Sequence, residues 1–294
     1  MCKTIFFCIF AESFYQNMIY QTLIINHHPA TAEAFAPPAG HGVLYEVLRV
    51  TGGVFLFLDD HVHRLNRSAQ LAGVGLVLYV DDVRKQLEQL LQLNGVQTGN
   101  IRMEYYFHAG KITWQAAYFI PHHYPSCKDY REGVSTSLWV AGRTNPNAKI
   151  VQHGFKEEVE RIIAEKNLYE LILVHPDGYI TEGSRSNIFM VKNGTVYTAP
   201  EADVLLGITR KYVLQACREL SVPLEETRIA ADRLPSMDAV FISGTSPKVL
   251  PVALVDEYRF DTCNATMRKI MRKYDELAGF CSMNSDEIKI TNNL

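Results

Sequence analysis

The chain has 294 residues, 47% of them hydrophobic, and a formal net charge of −3. That is ample for one large core or for two domains, and so small and evenly spread a charge argues against a nucleic-acid or acidic-membrane partner. The six cysteines, Cys2, Cys8, Cys127, Cys217, Cys263 and Cys281, are scattered with no C-x-x-C pair. Neither a zinc site nor a disulfide framework is signalled, and a reducing, cytoplasmic location is expected.

Lys3 precedes the apolar run Ile5–Ala11, which has the outline of a short signal peptide but is far too short to span a membrane. Residues 1–17 read as an extension outside the folded unit, and Met18–Ile24 as the first strand. Val43–Val50 and Val54–Leu58 read as strands around the turn Thr51-Gly52-Gly53. Asp59–Ala72 reads as a helix capped by Asp59 or Asp60, and Val83–Leu93 as a second, capped by Asp81 or Asp82 and ending near Asn94-Gly95. Ile101–Phe107 and Ile112–Ile120 are strands around His108-Ala109-Gly110, and Pro121–Glu132, without apolar periodicity, reads as a loop. Ser135–Ala141 is a strand, followed by a polar connector. Downstream come a helix at Phe155–Lys166 and strands at Glu170–His175, Asn187–Lys192 and Thr195–Thr198. A helix at Thr209–Leu220, a buried strand at Ala239–Ser243 and a last helix at Asp261–Leu277 complete the pattern, with a polar tail from Ser282 expected to fray. The fold class is α/β (α+β), with a small N-terminal domain over 18–140 and a larger C-terminal one over 141–294.

The segment Thr181-Glu182-Gly183-Ser184-Arg185-Ser186-Asn187 crowds polar groups ahead of the apolar run Ile188–Val191. Taken alone it reads as a polar turn between strands, since Asp177-Gly178 and Asn193-Gly194 flank it. Other segments change that reading. Lys149 has the apolar neighbours Ala148, Ile150 and Val151; a lysine is ordinarily a surface residue, but a desolvated amine attacks a carbonyl to form a Schiff base. Glu182 is either an exposed turn carboxylate or the partner that keeps a pyridine nitrogen protonated. Gly207-Ile208-Thr209 opens a helix whose N–H groups favour an anion. Gly244-Thr245-Ser246 follows a buried strand and offers further N–H and hydroxyl donors. Arg64 can present a bidentate guanidinium to a phosphate. Singly these are a cap, a turn and a solvated arginine; together they form the inventory for pyridoxal 5'-phosphate (PLP).

Glu182-Gly183-Ser184-x-Ser186-Asn187-Ile188-Phe189, Leu206-Gly207-Ile208-Thr209-Arg210 and Ser243-Gly244-Thr245-Ser246 with Pro251-Val252 resemble the class IV (fold-type IV) PLP-dependent aminotransferases. Leu58-Asp59-Asp60-His61-Val62-His63-Arg64-Leu65 is similar to that family's phosphate-arginine helix, and Tyr45-Glu46-Val47-Leu48-Arg49 to its substrate-facing strand. The resemblance runs from about Tyr20 to about Phe260. It implies a small α/β domain and a larger pseudo-barrel domain with the cofactor at their interface, in a homodimer or higher oligomer. It also implies that Lys149 carries the cofactor as a Schiff base and shuttles the substrate proton, while Glu182 pairs with the pyridinium nitrogen. Arg64, Ile208, Thr209 and Thr245 are implied to hold the phosphate, and Ser186, Asn187 and Ser246 to bind or line the cofactor. Tyr45, Arg49 and Arg102 are the candidate substrate residues.

The chain departs from the family at Gly40-His41-Gly42, where Gly-Asp-Gly is usual, and at Gln152-His153-Gly154-Phe155 after the lysine. Transfer of an amino group between a branched-chain-like or other small amino acid and a 2-oxo acid is the expected activity. Aminodeoxychorismate lyase, which shares the scaffold and releases pyruvate and p-aminobenzoate, is the alternative; a retired homologue with a binding role is a second. His61-x-His63 and His122-His123 are not expected to hold a metal, because i,i+2 positions of a helix diverge and no acidic partner completes a site. Trp114 and Trp139 are expected in the core.

Overall fold

The computed structural model describes residues 18–141, 147–150 and 154–280. The expected extension at 1–17, the tail from Ser282 and the departure at Gln152-His153 lie outside the described residues. The chain forms two compact units: residues 1–123 with 148–151, and residues 124–147 with 152–294.

The first unit is an antiparallel sheet built from β1 (Thr22–Ile25), β2 (His28–Thr31), β3 (Gly42–Thr51), β4 (Val54–Phe55), β5 (Gly99–His108) and β6 (Lys111–Ile120). Their order is β2-β1-β6-β5-β3-β4. Side chains alternate along β3, so Leu44, Leu48 and Val50 fall on one face and pack with Leu65, Leu87 and Leu90 of two helices, α1 (Leu58–Leu71) and α2 (Val80–Asn94). Neither helix uses the expected aspartate cap. Phe57 in the left-handed conformation precedes α1, Tyr79 precedes α2, and neither makes a side-chain cap bond. Asp59, Asp60, Asp81 and Asp82 lie inside the first turns, where their charge meets the positive end of the helix dipole. Gly95 ends α2 at φ 63°, as its sequence position suggested.

Among the described residues the second unit carries ten strands. These are β7 (Val134–Val140), β8 (Glu170–Val174), β9 (Tyr179–Gly183), β10 (Asn187–Lys192), β11 (Thr195–Thr198), β12 (Leu224–Glu226), β13 (Ile229–Ala230), β14 (Ala239–Gly244), β15 (Lys248–Val255) and β16 (Tyr258–Arg259). They run in the order β12-β11-β10-β14-β15-β7-β8-β9-β13, with β16 on β15. Ile188, Met190, Val240, Ile242, Leu250 and Val252 form a core on one face. Asn187, Phe189, Phe241 and Ser243 alternate onto the other, where the two phenyl rings stack at 4.9 Å. The unit's α-helices among the described residues are α3 (Cys127–Glu132), α4 (Phe155–Lys166), α5 (Ile208–Glu219) and α6 (Ala265–Leu277). Helix α5 packs on β14, β15 and α6.

Several expectations change. The loop expected over 121–132 contains α3, closed by a capping box in which Ser126 Oγ accepts the Asp129 N–H at 3.1 Å and Asp129 accepts the Ser126 N–H at 2.8 Å. None of its residues is buried, so no apolar period reveals it. The last helix starts at Ala265, where Asn264 caps it, rather than at Asp261. Strand β15 includes Pro251, opposite Phe241 and one residue before its ladder with β7 begins at Val252. Trp114 and Trp139 are half-buried, edge-on to Phe35 and tilted against Phe155 respectively. The units divide at His123/Tyr124, not near residue 140: β7 pairs in parallel with β8 and β15, which fixes it in the second unit. Residues 148–151 return to the first, where Ile150 bridges Leu44.

Candidate active site

In the first unit the backbone of Lys149 is pinned on both sides. Its carbonyl accepts the Tyr45 N–H at 3.2 Å, and its N–H donates to Ser68 Oγ on α1 at 3.3 Å. The half-buried side chain carries Nζ to 4.7 Å from the centroid of the Tyr45 ring. The Arg102 guanidinium carbon lies 4.3 Å from the same centroid. The two cations are therefore no farther apart than those distances laid end to end, about 9 Å. Lys149, Tyr45 and Arg102 are brought together. Arg49 lies further along β3, with its Nε on Thr51 Oγ1 at 3.2 Å.

Arg102 is oriented by Glu104, to which its Nε donates at 2.6 Å, and Glu104 also accepts the Tyr106 hydroxyl at 3.1 Å. Burial first, and then the Glu104 charge, push the Tyr106 and Tyr118 hydroxyls up, so both remain protonated donors. Glu104 was not singled out in the sequence, although its donors Arg102 and Tyr106 lie two residues either side of it on β5, the spacing that puts all three side chains on one face.

Arg64 is not on a solvated helix face. Its Nε and one terminal nitrogen donate to the two oxygens of Glu46, both at 2.7 Å. His61 Nδ1 meets the same carboxylate at 2.8 Å; a carboxylate only accepts, so Nδ1 carries the hydrogen. Burial opposes ionisation of Glu46, but the Arg64 charge and the bonds from His61 and Arg64 hold it well below the usual carboxylate range. Burial pushes His61 down and keeps it neutral, against the pull of Glu46. His63 points outward, and among the described residues no cluster fit to hold a metal occurs.

In the second unit Glu182 sits inside β9, buried, and not in an exposed turn; the turn is Ser184–Ser186. Its Oε2 accepts the Leu205 N–H at 3.0 Å, and Asn187 Nδ2 donates to the Leu205 carbonyl at 2.9 Å. Both polar groups of one residue ahead of α5 are thus held by β9 and β10. Gly207 follows, pressed so closely on Asn187 that a Cβ would overlap Oδ1. It precedes α5 without a side-chain cap bond, leaving the first N–H groups of the helix, at buried Ile208 and Thr209, as anion donors. Thr245 and Ser246 are half-buried in the turn between β14 and β15.

Ser186 Oγ donates to Glu170 at 2.9 Å, and the Arg185 N–H donates to the same carboxylate. Buried Glu170 therefore holds the turn beneath Glu182, and a side chain at Gly183 would collide with it and with Ser186. Glu170 was missed because it opens a strand otherwise composed of Leu, Ile and Val; a charge at such a position is itself the signal of a paired, buried group. Within the second unit a buried carboxylate and an uncapped helix start fit the ring nitrogen and phosphate of PLP, and within the first Lys149 offers an amine of the kind its carbonyl takes.

The amino-transferase class IV family model matches residues 43–255. The D-alanine aminotransferase of Bacillus licheniformis is 31% identical over 232 residues, which cover 74% of this chain and 80% of that protein. The branched-chain aminotransferase of Thermobaculum terrenum in its PLP form shares the fold with a TM-score of 0.76 at 21% identity, covering 90% of this chain and 94% of that one. That of Thermoproteus uzoniensis with norvaline gives 0.77 at 22% identity, over 88% and 94%. The fold is accordingly the mixed α/β fold-type IV expected from the motifs. With the family model spanning most of the chain and a relative above 30% identity, the chain belongs to the class IV aminotransferases and is a PLP-dependent transaminase.

Proposed function

We propose that the chain moves an amino group between a small amino acid and a 2-oxo acid, with Lys149 as the residue joined to the cofactor and Glu182 as the partner of its ring nitrogen. Relatives named for D-alanine and for branched-chain amino acids support a substrate in that range. The observation that carries the reading is the bond from Leu205 N–H to buried Glu182. It builds the ring-nitrogen carboxylate and the start of α5 as one rigid piece.

When bound, PLP supplies a carbonyl that condenses with amines and a ring that withdraws electrons from the substrate α-carbon. Lys149 Nζ would serve as the general base that accepts the proton of that carbon and as the acid that gives it back. Arg64 and the N–H groups at Ile208, Thr209, Thr245 and Ser246 hold the phosphate. Asn187 and Ser186 act mainly by fixing Leu205 and the Ser184–Ser186 turn. Tyr45 and Arg102 receive the substrate, Arg102 meeting its carboxylate, with Arg49 further out on the same strand face. A homodimer in the cytoplasm is the proposed setting; no helix among the described residues is long and apolar enough to cross a membrane.

The test is spectroscopic. Purified protein with PLP is expected to absorb at roughly 410–420 nm, the signature of the cofactor joined to a lysine. Lys149→Ala is expected to abolish that band; its survival overturns the lysine assignment. Addition of D-alanine or a branched-chain amino acid is expected to convert the band to the shorter-wavelength pyridoxamine form. Release of p-aminobenzoate from aminodeoxychorismate without such conversion would favour the lyase instead.

A further inference from the structure

Glu46 occupies a position where β3 otherwise buries hydrocarbon. Leu44, Leu48 and Val50 fill the same face, and Glu46 among them is fully buried. Removing a carboxylate from water costs several kcal/mol unless its bonds are well made. Here they are. Arg64 gives it two parallel bonds at 2.7 Å, and His61, one helical turn earlier on α1, gives a third at 2.8 Å. The paired bonds fix the plane of the guanidinium, and the imidazole stops the carboxylate from rotating away. An arginine on a helix surface has many rotamers; this one has its direction set by the sheet beneath it.

We propose that Glu46 and His61 are positioning residues that aim Arg64 at the phosphate of the cofactor, an inference that rests on Arg64 being a phosphate ligand. Glu46 also offsets the charge of Arg64. What Arg64 then contributes is oriented N–H donors more than net positive charge, and loss of Glu46 weakens phosphate binding although it frees a cation. A purely electrostatic role gives the opposite sign.

The experiment compares the affinities of PLP and of pyridoxal, which lacks the phosphate, by absorbance titration of the full chain. Arg64→Gln is expected to weaken PLP and leave pyridoxal unchanged. Glu46→Gln is expected to do the same, by roughly 10- to 100-fold, the usual cost of removing a group that orients a ligand. Glu46→Asp is expected to recover part of the loss. Pyridoxal affinity serves as the folding control, since a damaged fold loses both ligands. If Glu46→Gln does not fold, His61→Leu decides, with a several-fold loss of PLP over pyridoxal expected. A PLP-to-pyridoxal ratio unchanged in Arg64→Gln refutes the phosphate role itself. A ratio lowered in Arg64→Gln but unchanged or raised in Glu46→Gln and His61→Leu overturns the positioning role alone.

Discussion

A carboxylate beside a pyridine nitrogen acts by keeping a proton there, so in the role proposed for Glu182 charge, not shape, is what the side chain would supply. Glu182→Gln is expected to fold, since an amide oxygen still accepts the Leu205 N–H. It is expected to keep the cofactor band while the half-reaction slows by roughly 100-fold or more, measured in a stopped-flow instrument; an unchanged rate refutes the assignment. Glu46 and His61 make a pH prediction. The folded pKa of each is depressed, from ordinary values of 4.5 and 6.5. The unfolded chain therefore binds protons that the folded chain refuses, and both contributions to stability are present above those values and lost as pH falls. Urea midpoints are expected to decline as pH falls below 6.5, more steeply below 4.5, and His61→Leu is expected to flatten the upper part of that decline. Lys149, Glu182 and Thr209 could be put forward as candidates from the sequence because each sits in or beside a local motif that resembles the family's. Glu46 and Glu170 were not, because a buried carboxylate is defined by its donors. Glu46 and Arg64 are 18 positions apart, and Glu170 and Ser186 are 16 apart.

Elements depend on close approaches that single atoms can spoil. Gly207 lets the chain pass over Asn187 into α5, and a methyl group there overlaps Oδ1. Gly207→Ala is expected to lower stability by about 1–3 kcal/mol and to weaken PLP through the displaced helix start. Equal PLP affinity in that variant would show that the start of α5 does not hold the phosphate. Ile270, fully buried on α6, offers a contrast: Ile270→Ala is expected to lose about 2–5 kcal/mol in denaturant titration with little change in PLP affinity. The long helices were readable because a face of Leu, Ile and Val recurs at helical spacing. Helix α3 was not, being short and without buried residues. Strands β9 and β15 escaped for the opposite reason: buried on both faces for most of their length, they show no alternation, and Pro251 within β15 argued against a strand.

At the scale of the molecule, a ligand that binds only the folded chain stabilises it by mass action. Saturation with PLP at 100 times its Kd is expected to add about 2.7 kcal/mol of stability, with a rise in melting temperature that grows with PLP concentration. Lys149→Ala is expected to lose most of that rise at equal PLP, because the covalent link proposed for that residue could not form. The sequence by itself determined the cofactor chemistry and the family, since the motifs around Glu182, Gly207 and Gly244 each fit within a few residues of chain and local composition records them. It also determined most helices and the exposed hairpins, through spacing and turn residues. Only the tertiary structure decided that β7 belongs with the second unit, that Lys149 returns to the first, and that Arg64 is held by Glu46 and His61. Strand pairing and buried ion pairs join positions far apart in the chain, and their energies arise only when folding removes those groups from water.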